Sequence, residues 1–356
     1  MLIWADGFGH YGNTDYFRGS GFYIYRTNYD ASPLRIGTGG AARTGGYYWQ
    51  CNGMQYDNWY GGRMFGGNQP IIGIGAAFLF PGLPGNTGFC LFMMCGNGRD
   101  DFQVSLLINP DGSLEVRQGN GGTYLGGSDP GTITPGAYQY VEMKTFVDNV
   151  NGSVEVRVNN TQKILITGVD TDTLNIGHIN GFMIGRNGWN AGGSPCEGVA
   201  DLVVWDATGA FNNDFIGDIR CRTFLPGTDG PLQDWTATGS PAYGEIDNVP
   251  YDAAKNIAAA NVGDISNFGK VALPINTAYV AGINLFTVAN KTDAGTCEIT
   301  PQIVGSDGTS VADGAVISPG TGTAYYNAIF ETDPATGLQF LPAGFDSALM
   351  QVERTA

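Results

Sequence analysis

Ile71-Ile72-Gly73-Ile74-Gly75-Ala76-Ala77-Phe78-Leu79-Phe80 is an uncharged apolar run. A run of this kind, bounded by turn residues, reads as a core strand covered on both faces. Gly88-Phe89-Cys90-Leu91-Phe92-Met93-Met94-Cys95-Gly96 repeats the character after a Pro/Gly turn. Further out, hairpin signals take over. Residues 102–108 and 113–117 flank Asn109-Pro110-Asp111-Gly112, where Asp-Gly supplies the positive φ of a tight turn. Residues 138–147 and 153–158 flank Asp148-Asn149-Val150-Asn151-Gly152, and Asn159-Asn160 leads on to 163–167. Ser153-Val154-Glu155-Val156-Arg157-Val158 alternates polar with apolar, the pattern of a sheet half open to water. Residues 21–26, 199–206 and 216–224 complete the strand expectations of this region.

Many short strands joined by Gly, Pro, Asn and Asp predict an all-β jelly-roll sandwich. No ten-residue helical stripe interrupts them, which excludes βαβ folds. Asp252-Ala253-Ala254-Lys255-Asn256-Ile257-Ala258-Ala259-Ala260-Asn261 is the one modest helix candidate and marks the expected seam. The expected domains are 1–250, the sandwich, and 251–356, a small C-terminal β domain. The latter has strands over 280–288, 296–304, 315–318, 325–331 and 347–354.

Composition agrees. Of 356 residues, 56 are Gly and only 14% are charged. Glycine at that density costs each helix interior it enters about 1 kcal/mol relative to Ala. Lys plus Arg total 17 against 33 for Asp plus Glu, a net charge of −16. That balance argues against nucleic acid, whose phosphates need a basic face, and against anionic membranes. No apolar run is long enough to span a bilayer. The opening Met1-Leu2-Ile3-Trp4-Ala5-Asp6-Gly7 has no basic region, so it does not read as a secretory leader. Synthesis in a cytosol is expected, with Cys51, Cys90, Cys95, Cys196, Cys221 and Cys297 as buried reduced thiols or as a few later disulfides.

Chemical motifs are few. Gly37-Thr38-Gly39-Gly40-Ala41-Ala42 matches the dinucleotide fingerprint in letters, but Arg43-Thr44-Gly45-Gly46 cannot start the helix it needs. Gly244-Glu245-Ile246-Asp247 is similar to the acidic motif of retaining β-glucanases. Val249 stands where the partner acid of such a pair belongs. His10 and His178 are the only histidines and lie far apart, and no GxSxG elbow occurs, so no catalytic residues are assigned. The expectation is a protein that is not an enzyme. No cofactor is expected. Asp170 with Asp172, and Asp100 with Asp101, are candidate Ca²⁺ ligands whose plainer reading is solvated loop acids. The aromatic group Tyr47, Trp49, Tyr56, Trp59 and Tyr60 is the candidate binding site. Such rings stack on sugars or anchor protein interfaces, and half of them are expected in the core.

Four segments together carry a family resemblance. They are Ala5-Asp6-Gly7-Phe8-Gly9-His10-Tyr11, the hairpins from Asp111 to Val158, and Ala200-Asp201-Leu202-Val203-Val204-Trp205-Asp206 with Asn213-Asp214-Phe215-Ile216-Gly217-Asp218-Ile219-Arg220. The fourth is Asn290-Lys291-Thr292-Asp293-Ala294-Gly295-Thr296 followed by Glu331-Thr332-Asp333-Pro334-Ala335-Thr336-Gly337. The chain resembles tailed-bacteriophage virion structural proteins that carry a concanavalin A-like (laminin-G-like) lectin domain. Ala200 and Leu341 depart from the pattern. The resemblance implies a virion surface protein, as tail fibre, appendage or capsid decoration. Its partners would be other virion proteins and copies of itself, three-fold symmetry being favoured. The alternative it leaves open is an adhesin that binds a host surface glycan.

Overall fold

The computed structural model describes all residues except 27–34, 39–41, 44–45, 51–58, 86–88 and 187–195. In chain order the first strands are β1 (Leu2–Asp6), β2 (Ile24–Arg26), β3 (Ile36–Thr38), β4 (Tyr47–Gln50) and β5 (Trp59–Gln69). Then come β6 (Ile71–Leu79), β7 (Phe89–Cys95), β8 (Phe102–Ile108), β9 (Leu114–Gln118) and β10 (Tyr124–Gly127). The set closes with β11 (Tyr138–Phe146), β12 (Gly152–Val158), β13 (Thr161–Val169), β14 (Ile179–Arg186) and β15 (Gly198–Asp206). They form two antiparallel sheets. One has the order β13-β12-β11-β6-β15-β4-β3, with β1 also paired to β15; the other has the order β10-β9-β8-β7-β14-β5-β2. The all-β, lectin-like jelly-roll sandwich is the fold of this chain.

The apolar runs become the central strands. β7 and β8 are buried at every position, so both faces of the second sheet are covered at its centre. Phe78 of β6 meets Phe92 of β7 edge to face at 5.4 Å, which joins the two sheets through the core. A second packed layer, with Tyr60, Cys90, Met93, Cys95, Phe102, Leu107 and Met183, lies on the same sheet. In β7 the alternation of side chains turns Met93 and Cys95 away from Phe92 and Met94.

The N-terminal segment forms an aromatic hub. Helix α1 (Thr14–Gly19) starts where Asn13 Oδ1 accepts the N–H groups of Asp15 and Tyr16. It brings Phe17 against Phe8, Tyr11, Tyr23 and Trp49. Inside the hub, Asp6 accepts hydrogen bonds from the Tyr11 and Tyr23 hydroxyls at 3.0 and 2.9 Å and from the Phe8 N–H at 2.6 Å. His10 sits in a short 3-10 turn, and burial pushes its imidazole down to about 3, so it is neutral.

The chain divides into two compact units after Arg222, earlier than the seam expected near residue 250. The reason is pairing: β16 (Pro226–Gln233) hydrogen-bonds to β19 (Ile265–Lys270) of the second unit, and Phe224 packs its ring on Phe345 at 5.4 Å. Between them lie β17 (Thr236–Ala237) and β18 (Ile257–Ala258), which pair with each other. This replaces the helix expected over 252–261. A short alanine-rich stretch is a marginal helix alone, and strand pairing outweighs it. Then follow β20 (Ile283–Ala289), β21 (Ile299–Val304), β22 (Val311–Asp313), β23 (Ala324–Phe330), helix α2 (Pro342–Ser347) and β24 (Leu349–Arg354). The five-stranded sheet runs β16-β19-β24-β21-β22, and β20 pairs with β23. The expected strand over 315–318 reduces to a single bridge between Ile317 and Ile299. Ile303, Ala328, Phe330, Phe340, Phe345 and Ala348 form this unit's core.

Cys90, Cys95, Cys196, Cys221 and Cys297 are free thiols, and Cys51 lies outside the described residues. No helix of the described residues is long and apolar enough to cross a membrane.

Candidate functional site

The chemistry-bearing residues gather on the outward face of the eight-stranded sheet. Alternation along β11 turns Tyr140, Glu142 and Lys144 to one face. The register sets Glu142 opposite Gly75 and Lys144 opposite Gly73 on β6. On the other side of β6, Trp205 of β15 lies opposite Gly73. These two glycines let large groups lie down on the sheet. A Cβ at Gly73 would stand 2.0 Å from the Trp205 ring, and one at Gly75 would stand 2.8 Å from the Tyr140 hydroxyl.

A strap over residues 214–221 crosses this trough. Glu142 Oε1 accepts the N–H groups of Ile216 and Gly217 at 3.0 and 2.9 Å. Asn160 Oδ1 accepts the Asp218 N–H, and Asp201 Oδ1 accepts the Cys221 N–H, both at 2.8 Å. Side chains add ties: Lys144 Nζ to Asp214 at 2.8 Å, and Arg43 to Asp201 at 3.1 Å and to Asp218. Residues 216–224 were expected as a strand. They run irregularly because these side-chain oxygens take the N–H groups that a strand partner would have used.

Phe215 is half-buried at the strap's outer end. The Arg157 guanidinium lies 3.8 Å from its ring centre, Lys144 Nζ 5.5 Å, and the Trp205 ring meets it edge-on at 6.1 Å. Arg157 is oriented by Glu155 at 2.8 Å. Arg43 lies over Tyr138 and Tyr140, 5.8 and 5.4 Å from the two ring centres. Beneath the strap, burial pushes the Glu142 and Asp201 carboxyls above the usual range, with N–H donors and the guanidiniums of Arg157 and Arg43 respectively pulling the other way. Asp201 has φ 51° where β15 departs from its regular register, a bulge that re-aims its carboxylate at Arg43.

The residues singled out from sequence are scattered. Trp49 and Tyr60 belong to the core half of their group: Trp49 stands edge-on to Phe8, Phe17 and Tyr23 in the hub, and Tyr60 packs on Phe102 and donates to Asp100. As stacking surfaces for an outside sugar these two are withdrawn. Tyr47 is half-buried at the start of β4. Tyr56 and the Trp59 side chain lie outside the described residues. Asp172 is buried, with Oδ1 accepting from Gln103 Nε2 and Ile176 N and Oδ2 from Gly177 N. Asp170 Oδ1 accepts the Asp172 N–H, so both acids act as loop-shaping acceptors. The described residues hold no group of three ligands suited to a metal ion. His178 braces its own loop through Ile176 O and Asn97. Glu245 accepts a hydrogen bond from Thr238.

Reading the sequence missed Arg43, Tyr140, Glu142, Asp201, Trp205 and Phe215 as one group. The signal was present: polar side chains alternate with Val141 and Met143 along β11, glycines alternate along β6, and Asp201 interrupts an apolar run.

No family model matches the chain, and no curated protein matches it. Among solved structures, Trypanosoma rangeli sialidase in complex with 2,3-difluoro-KDN is similar at TM-score 0.33 and 13% identity, over 51% of this chain and 30% of the sialidase. The cellulose induced protein Cip1 is similar at 0.37 and 14%, over 51% and 90% of the two chains. The CBM40 of Ruminococcus gnavus IT-sialidase, bound to α2,3 sialyllactose, is similar at 0.27 and 15%, over 38% and 76%. The expectation that this chain is not an enzyme is corrected here, because an enzyme stands among its structural neighbours.

Proposed function

We propose that this chain recognises carbohydrate through the outward face of its eight-stranded sheet, as a surface component of a tailed-phage particle. The observation that carries the reading is the half-buried Phe215 ring with its fixed polar surround. Asp214 is exposed and paired to Lys144, and Arg157 is held by Glu155. An apolar ring edge beside oriented donors and acceptors is what a sugar needs, since it offers C–H faces and hydroxyls together. The guanidiniums are already matched by carboxylates, which favours neutral hydroxyls over anions as the groups recognised. The particle setting and a three-fold assembly rest on the family resemblance.

A printed glycan array tests the recognition. The whole chain is expected to retain a subset of oligosaccharides, and Phe215→Ala to lose that retention at least tenfold without a change in Tm. Equal retention by the variant would refute the site. Electron microscopy of the source particle, locating this chain on its exterior, tests the setting.

A further inference from the structure

Three polar atoms under the 214–221 strap have no hydrogen-bond partner: the Tyr140 hydroxyl, Glu142 Oε2 and Trp205 Nε1. All three residues are at most 1% exposed, although they stand on the outward face of the sheet. Buried polar atoms are almost always paired, so three orphans around one glycine-lined trough call for an explanation. The strap above them has no regular structure, and none of its residues is buried. Its ties are polar bonds to side chains of the sheet and its neighbouring turns, with Phe215 as the one large ring contact. Lifting it breaks these hydrogen bonds and uncovers the Trp205 and Tyr140 rings beneath.

We infer that the trough of Tyr140, Glu142 and Trp205 is a covered extension of the carbohydrate site, and that the strap is its lid. The inference rests on the reading that this face binds sugar and adds where the ligand reaches. The orphan set defines the ligand class. Trp205 Nε1 only donates, Glu142 Oε2 accepts while ionised, and the Tyr140 hydroxyl does both. Neighbouring hydroxyl groups match such a set, since each both donates and accepts. A carboxylated sugar would meet Glu142 while Arg43 and Arg157, already matched by Asp201 and Glu155, offer it no counter-charge, and an ammonium has no acceptor to offer Trp205 Nε1. The ligand is thus a neutral polyhydroxyl chain whose end enters when the strap moves aside. A lid that is closed most of the time reduces the apparent affinity by the open fraction.

The test uses the whole chain and the double variant Asn160→Gly/Asp218→Ala, which cuts the lid's ties at Asn160 and Arg43, keeps a residue suited to the φ of 67° at position 160, and leaves both the trough and the Phe215 surround intact. Hydrogen exchange of the Ile216, Gly217 and Cys221 amides reads the strap. Binding of maltotetraose and cellotetraose, with alginate tetrasaccharide as the anionic control, reads the site. The expected result is exchange at least tenfold faster in the variant, with a neutral tetrasaccharide bound roughly three- to tenfold more tightly and alginate not gained. Adding Tyr140→Phe and Trp205→Phe to the loosened variant should remove that gain. Unchanged exchange would show that the strap is no lid. Faster exchange with no gain for either neutral sugar, or a gain for alginate instead, would overturn the covered site. In those cases retention that still depends on Phe215 leaves the recognition reading standing, whereas retention indifferent to Phe215 ends that reading separately.

Discussion

Asp6 shows how far burial can displace a single group. Desolvation pushes its carboxyl up from an ordinary 3.8 to about 7, against the Phe8 N–H, the Tyr23 and Tyr11 hydroxyls and Arg63. The sign follows from which state holds the proton. Between about pH 4 and pH 7 the folded chain keeps it and the unfolded chain has released it, so stability falls as pH rises. The group's contribution is complete below its ordinary pKa and lost above about 7, at about 1.4 kcal/mol per unit within that window. The half-buried Asp148 and the exposed Asp307, held low by hydrogen bonds from Asn151 and Ser310, act in the opposite sense and only at more acid pH. Urea unfolding at pH 4.5 and pH 7 should thus show the wild type losing stability relative to Asp6→Asn. Equal slopes for the two proteins would refute the assignment. Neither the group nor its shift could be read from Ala-Asp-Gly-Phe, because nothing local says that three rings will close over an acid.

At the scale of elements, β6 was the most legible part of the molecule and also holds the least legible feature. Its apolar run announced a central strand, and its registers with β11 and β15 place it there. Glycine in a strand interior offers no side chain to pack. The glycines of β6 are where Trp205 and Tyr140 lie against the backbone, and Gly73→Ala should cost about 1–3 kcal/mol through overpacking. Chemical denaturation measures this, with a shifted tryptophan emission expected as the Trp205 ring is displaced. A neutral substitution would mean the ring has room elsewhere. The strap carries the converse lesson. Residues 216–224 have strand-like letters, yet carboxylates and an amide oxygen from Glu142, Asp201 and Asn160 claim their N–H groups. A pattern of hydrophobicity cannot foresee competition from acids distant in sequence.

For the whole molecule, the division after Arg222 makes a sharp prediction. All fifteen strands of the sandwich precede that point, so a fragment of residues 1–222 should unfold cooperatively and keep near-ultraviolet circular dichroism. A fragment of residues 1–196 lacks β15, which lies between β6 and β4 and also pairs with β1. It should show neither property. A non-cooperative 1–222 fragment would mean that the sandwich depends on the second unit.

Local physics was enough for the broad class. Alternation, Asp-Gly and Asn-Gly turns and the scarcity of helical stripes determine short antiparallel strands, because side-chain period and turn geometry act over a few residues. The fate of each aromatic side chain, the seam after Arg222, and the gathering of Arg43, Tyr140, Glu142, Asp201 and Trp205 on one sheet face were decided only in three dimensions. Those outcomes depend on which strands become neighbours and which oxygens reach which N–H groups. Such contacts join residues up to 175 apart, a separation at which sequence spacing carries no geometric information.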